Sequence, residues 1–188
     1  MTELETMQRA KMYLDKLSRG IDPITDREMP EDAVRIEGVE MPLSVVYEDD
    51  HLLAVDKPAG MLIHPSRSCN TGTLANVVQG YYEKTGQKCA FHPVTRLDRD
   101  TFGIVLLAKN PHIHSLMQRT DLQKTYHALV LGGPAEDSGI IDAPIARKAL
   151  PSLLREISPD GKPSVTEFAV LERKENTSLL ALKPITGR

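Results

Sequence analysis

Apolar positions recur at helical spacing at the start of this chain and gather into strand-like runs later, and a change of composition between the two divides it. From Glu3 to Leu17 the residues Met7, Ala10, Met12, Tyr13 and Leu17 recur at roughly three- and four-residue steps, which predicts a helix with one apolar face. Gly20 ends it. The following stretch, IDPITDREMPEDAVRIEGVEMP, holds three prolines and many acids and has no sustained period. It reads as a linker running over the surface. The texture changes near Pro42, which separates an N-terminal helix and acidic linker, residues 1–41, from a domain over residues 42–188.

Beyond Leu43 strand signals dominate. LSVVYEDDHLLAVDKPAG reads as a strand, an acidic turn, a second strand and a Lys-Pro-Ala-Gly loop. Helical spacing returns from Leu74 through Val77 and Val78 to Tyr81 and Tyr82, with Gly86 as the C-terminal cap. The apolar run from Ile104 to Ala108 predicts a buried strand. Pro111 suits the first turn of a helix that carries Ile113, Leu116, Met117 and Leu122 toward a core. TYHALVLGG is strand-like, and SVTEFAVLERKENTSLLALKP predicts two strands around the polar turn from Lys174 to Thr177. Strands outnumber helices and neighbouring strands form hairpins. The expected class is therefore α+β, with a mixed, mainly antiparallel sheet and flanking helices.

Composition narrows the partners. A chain of 188 residues, 40% hydrophobic and 26% charged, can bury one core with a small appendage. No stretch has the apolar length of a membrane span, and the N-terminus lacks the apolar centre of a signal peptide, so a cytoplasmic protein with no membrane partner is expected. Cys69 and Cys89 are far apart and suit a reducing compartment. The net charge of −3 gives no overall basic surplus, so a polyanion could be held only by a local basic patch. Neither Gly-rich phosphate-loop pattern is present, which argues against a nucleotide cofactor.

The chemistry concentrates in VTRLDRDTFG, where Arg96, Asp98, Arg99 and Asp100 precede the apolar run. Charges beside a core must be paired or used. Asp98, flanked by arginines, would stay ionised and could act as nucleophile or general base. A structural ion pair pinning the loop is the plainer reading of the same pattern. Tyr126 is open to two readings, half-buried strand packing or a stacking surface for an unstacked RNA base. His112 and His114 form an HxH pair, but on a helix their rings point to different sides, and no metal site is expected. Ser66 lies in no GxSxG elbow, which weakens a serine hydrolase. A carboxylate hydrolase would need a second acid, for which Asp100 is the only local candidate.

RLDRDTFG resembles the HRLDxxTSG signature of the RluA-type pseudouridine synthases, which isomerise uridine within structured RNA. Five further segments resemble that family in order: YEDDHLLAVDKPAGMLIHPS, KTYHALVLG, GIIDAPIARK, GKPSVTEFAVLER and LALKPITGR. The resemblance implies a pseudouridine synthase fold, with Asp98 as the catalytic aspartate and Arg96 as its companion, paired with the carboxylate or with RNA phosphate. It implies that Tyr126 is the active-site, catalytic tyrosine, packing against the target base and taking part in proton transfer, and that the loop of Lys57, Pro58 and Gly60 shapes the cleft wall. Those loop residues, with His64 and Arg188, are expected to face RNA. The implied partner is structured RNA, ribosomal or transfer, with no cofactor and no metal; oligomeric state is open, with a monomer favoured.

Two positions depart from the signature. Thr95 replaces its histidine, and Phe102 replaces its serine and is expected to fill the core or adjust the cleft. LALKPITGR resembles the start of a segment that continues in the family as TGR[TS]HQ[IL]RVH. The chain is therefore read as a catalytic domain lacking its C-terminal part, with weak RNA affinity and little activity expected of it alone. The alternative is a non-catalytic RNA-binding relic or inactive fragment. Residues 1–41 are too short and acidic for an S4 RNA-binding domain.

Overall fold

Two β-rich runs either side of an acidic turn, residues 44–57, build the first hairpin of the computed structural model, which describes residues 36–66, 69–148 and 154–186. The helix read over Glu3–Leu17, and Arg188, expected to face RNA, lie outside the described residues. The chain divides into two units, Met1–Thr120 and Asp121–Arg188. No helix among the described residues is long and apolar enough to cross a membrane.

In the first unit, β1 (Ser44–Glu48), β2 (Leu52–Lys57), β3 (His92–Pro93) and β4 (Gly103–Ala108) form an antiparallel sheet in the order β1-β2-β4-β3. The acidic turn of the β1–β2 hairpin is closed by Asp49. Its carboxylate accepts from the His51 and Leu52 amides at 2.8 and 2.7 Å and from the Tyr47 hydroxyl at 2.7 Å. Those donors pull the Asp49 carboxyl down to about 2.

Helix α1 (Leu74–Lys84) covers one face of this sheet. Leu53, Val55, Val105 and Leu107 meet Leu74, Ala75, Val78 and Tyr82, with Ile63 and Phe91 closing the core. Asn76 Oδ1 accepts from the Thr73 amide and hydroxyl at 3.1 and 2.6 Å, fixing the start of the helix. At its end, Gly86 (φ 70°) stands one residue beyond the cap Thr85. There the Gln87 amide returns to Tyr82 O at 2.8 Å and the Gly86 amide to Glu83 O at 3.2 Å, a Schellman closure.

Residues 36–41, read from sequence as linker, dock along α1. The Val39 amide donates to Asn76 O and the Asn76 side-chain amide donates to Glu37 O, both at 2.9 Å. Close approach is possible because Gly38 and Gly80 face each other: a Cβ on Gly80 would lie within 2.9 Å of the Val39 backbone. Helix α2 (Pro111–Met117) is capped by Asn110, whose Oδ1 accepts from the Ile113 amide at 2.9 Å. It buries no residue, and Leu116 is exposed, contrary to the expectation that this face meets a core.

The second unit holds β5 (Tyr126–Leu131), β6 (Ser138–Asp142), β9 (Val165–Arg173) and β10 (Thr177–Pro184) in the order β5-β10-β9-β6, and a separate ribbon of β7 (Ile145–Arg147) and β8 (Arg155–Ile157). The polar turn between β9 and β10 is closed by the Lys174 amide on Thr177 O at 2.8 Å. The α+β class holds; every ladder among the described residues is antiparallel, distributed over three sheets.

Two core positions give stability tests. Tyr82 is fully buried and its hydroxyl has no partner among the described residues; burial pushes the phenol well above its usual value. Tyr82→Phe removes that unsatisfied group and is expected to raise unfolding free energy by about 1 kcal/mol in denaturant melts; a loss of stability would mean the hydroxyl is bonded in solution. Gly80→Ala improves helix propensity yet drives a methyl into the Val39 backbone. It should cost about 2 kcal/mol and abolish hydrogen-exchange protection at the Val39 amide.

Candidate active site

The loop between β3 and β4 carries the signature, and its root is fixed by backbone pairing. The Val94 and Thr95 amides donate to Leu106 O at 2.8 and 3.2 Å, and the Leu106 amide donates to Thr95 Oγ1 at 2.9 Å. Pro93 has no amide to continue the β3–β4 ladder, and Thr95 carries it one step further through its side chain. The replacement of the signature's histidine thus serves the sheet. Leu97 packs against the core, leaving its neighbours Arg96 and Asp98 exposed on either side.

Asp98 opens a turn closed by the Thr101 amide on Asp98 O at 3.2 Å. The carbonyl of Arg99, inside that turn, accepts from the Gly60 amide at 2.8 Å and from Lys57 Nζ at 3.0 Å. The Arg99 side chain reaches back, its Nε donating to Gly60 O at 3.2 Å. Two loops that lie about forty positions apart in sequence are therefore stitched at backbone level.

Lys57 is the centre of this stitch. It ends β2, shares the core side with Leu53 and Val55, and is 0% exposed. Its ammonium donates to Pro58 O and Met61 O at 2.9 Å and to Arg99 O at 3.0 Å, using all three of its protons. Burial pulls the Lys57 pKa below the ordinary lysine value, and the nearby carboxylates of Asp100 and Asp98 pull the other way. Lys57 was expected to face RNA; with no free donor and no exposed surface, it instead holds the turn that displays Asp98.

The other expected residues are placed as follows. Pro58 and Gly60 are exposed on the loop that follows β2, and Gly60 (φ 82°) needs the left-handed backbone its lack of a side chain permits. Among the described residues no ion pair joins Arg96 to Asp98. The charge of Arg96 is instead felt at His64, whose imidazole is lowered first by burial and then by that guanidinium. The His64 ring stands edge-on to Phe91 at 5.3 Å. Phe102 is 75% exposed, so it does not fill the core: it precedes Gly103, which pairs with Lys57, and alternation turns it to the opposite face beside exposed Ile104. Tyr126 opens β5 in the second unit, half-buried and paired with Leu182. The HxH histidines separate: His114 Nε2 bonds to Pro93 O at 3.2 Å and its ring lies 5.9 Å from His92, while His112 is exposed. Sequence reasoning missed the roles of Arg99 and Thr95, whose partners are backbone groups that no residue pattern reveals.

Residues 51–188 match the profile of the family described as RNA pseudouridylate synthase. An uncharacterized RNA pseudouridine synthase of Bacillus subtilis, YjbO, is 38% identical over 152 residues, covering 79% of this chain and 54% of its own. Ribosomal large subunit pseudouridine synthase D of Nitrosomonas europaea is 37% identical over 153 residues, covering 79% of this chain and 44% of its own. Among solved structures, human RNA pseudouridylate synthase domain containing 1 aligns with a TM-score of 0.65 at 25% identity, covering 78% of this chain and 61% of that one. The chain spans about half the length of the curated relatives it matches. The matched segment takes in every strand from β2 onward together with the Lys57 and Asp98 loops, and on that extent the chain belongs to the RNA pseudouridylate synthase family.

Proposed function

We propose that this chain isomerises uridine to pseudouridine within structured RNA, ribosomal or transfer, with Asp98 as the reacting carboxylate. The observation that carries the reading is the Asp98 turn: an exposed carboxylate on a loop whose backbone is clamped from beneath by a buried ammonium. A reacting group gains from such pre-organisation because no reordering is needed when the substrate arrives.

The isomerisation breaks the bond from C1′ to N1, turns the uracil, and forms a bond from C1′ to C5. The C5 proton is then lost and N1 regains one, so atoms balance without water or an external oxidant. The Asp98 carboxylate can serve by attacking C1′ to form an adduct or by removing the C2′ proton to give a glycal. Either route requires the uridine to leave its stack and the freed base to stay captive. Tyr126 is assigned to packing against that base, and Arg96 and His64, both near the Asp98 loop, to contacts with RNA. Pro58 and Gly60 belong to the same proposed surface. Lys57 is a positioning residue in this scheme.

Tritium release from RNA labelled at uridine C5 tests the assignment. Asp98→Asn should lower release by roughly a thousandfold while leaving the melting temperature in place; retained turnover would remove Asp98 from the reaction. RNA binding by the wild-type chain without any release would favour the binding-relic alternative. Lys57→Met leaves three carbonyls without their donor and is expected to cost about 3 kcal/mol of stability. Assayed where circular dichroism shows it folded, the variant should lose kcat with KM little changed, as a displaced Asp98 requires.

A further inference from the structure

The β7–β8 ribbon places like charges directly opposite each other. Its register pairs Ile145 with Ile157, Ala146 with Glu156, and Arg147 with Arg155. Side chains alternate across a ribbon, so Ile145, Ile157, Arg147 and Arg155 share one face, while Ala146 and Glu156 share the other. The Lys148 amide continues the ladder to Leu154 O at 3.0 Å, which puts Lys148 on the Glu156 face. The ribbon thus has an acid-free face with two arginines and two isoleucines.

A directly opposed like-charge pair destabilises a two-stranded ribbon. Both arginines are exposed, and neither has an ion pair or hydrogen bond among the described residues; Ile157 is 75% exposed. The root of the ribbon is nevertheless tightly built. Ile145 and Lys162 exchange backbone hydrogen bonds at 3.0 and 2.9 Å, the Ser158 amide donates to Pro144 O at 3.0 Å, and a Cβ on Gly161 would lie 2.6 Å from the Ile145 carbonyl carbon. A firm root holds the two guanidiniums together instead of letting them part. In a chain of net charge −3, this is the kind of local basic patch that a polyanion requires.

We infer that the Arg147/Arg155 face of the ribbon binds the RNA backbone, each guanidinium taking phosphate oxygens, with Ile145 and Ile157 against the sugar edge. That the polyanion is RNA rests on the function proposed above; the face assignment rests on the register.

Binding of the full chain to a short fluorescein-labelled RNA stem-loop with an all-uridine loop, followed by anisotropy across a salt series, tests it. Arg147→Gln with Arg155→Gln should weaken binding by about tenfold and reduce the slope of log K against log salt by about 1 for each arginine. Lys148→Gln removes one positive charge on the other face, as each single arginine substitution does on its own, and should alter affinity less than about twofold. Removing the opposed charges should leave the melting temperature unchanged or higher, which separates lost contact from lost fold. The inference is overturned if the double variant binds like wild type, if Lys148→Gln costs as much as either arginine, if the wild type does not bind, or if poly-glutamate competes as well as unlabelled RNA. A chain that binds through this face yet releases no tritium defeats the isomerase reading alone. A chain that turns over and ignores both arginine substitutions defeats the ribbon alone.

Discussion

An ammonium taken out of water loses several kcal/mol of hydration, and Lys57 recovers that loss only where three carbonyls converge on it. The requirement runs outward through the first unit. Pro58 and Met61 must curl their loop so that both carbonyls point inward, and Arg99 must bring its carbonyl from the other loop. Register does the rest: Lys57 pairs with Gly103, so the end of β2 and the start of β4 are aligned beneath the same charge. The KPAG loop, the Asp98 turn and the end of the sheet thereby share one condition for being formed.

This dependence is reciprocal. If the Arg99 carbonyl moved away, the lysine would have to be rehydrated or lose its proton, and its lowered pKa shows that the margin for remaining charged is already reduced. The exposed carboxylates of Asp98 and Asp100 support the buried charge from the solvent side. The group proposed to react and the group that positions it are therefore electrostatic partners, although Asp98 makes no direct bond to Lys57. A comparable economy holds β1 to the end of α1: the Glu48 carboxylate, which burial alone would push up, accepts from Lys109, Tyr81 and Gln87 and ends below the usual glutamate value.

What the sequence disclosed was whatever depends on side-chain period or on a local turn. The hairpin of β1 and β2, the helix α1 with its glycine beyond the end, and the β9–β10 pair were legible because apolar spacing and turn residues act within a few positions. β3, β7 and β8 were not, since strands of two or three residues carry no period, and β6 leads straight into the proline-broken run DAPIAR. In the site, the signature marked the loop that displays Asp98, and Leu97 between two charges gave no hint that it packs against the core. The family resemblance set Lys57 facing RNA; it is buried instead, and that burial depends on three carbonyls that leave no mark in a residue pattern. Arg96 was expected to pair with Asp98 or with RNA phosphate; among the described residues no ion pair joins it to Asp98, and the unassigned Arg99 is the residue that joins the loops.

The facing glycines, Gly38 and Gly80, have a consequence for how much chain the first unit needs. Glu37 and Val39 supply an acceptor and a donor to Asn76, the residue that also fixes the start of α1. A version trimmed at Pro42 would remove both partners at once, uncover the groove over Gly80, and expose a helix end that is otherwise sealed. The packed body of this unit therefore begins upstream of its first strand, and a boundary drawn at the start of the β-rich sequence cuts through it.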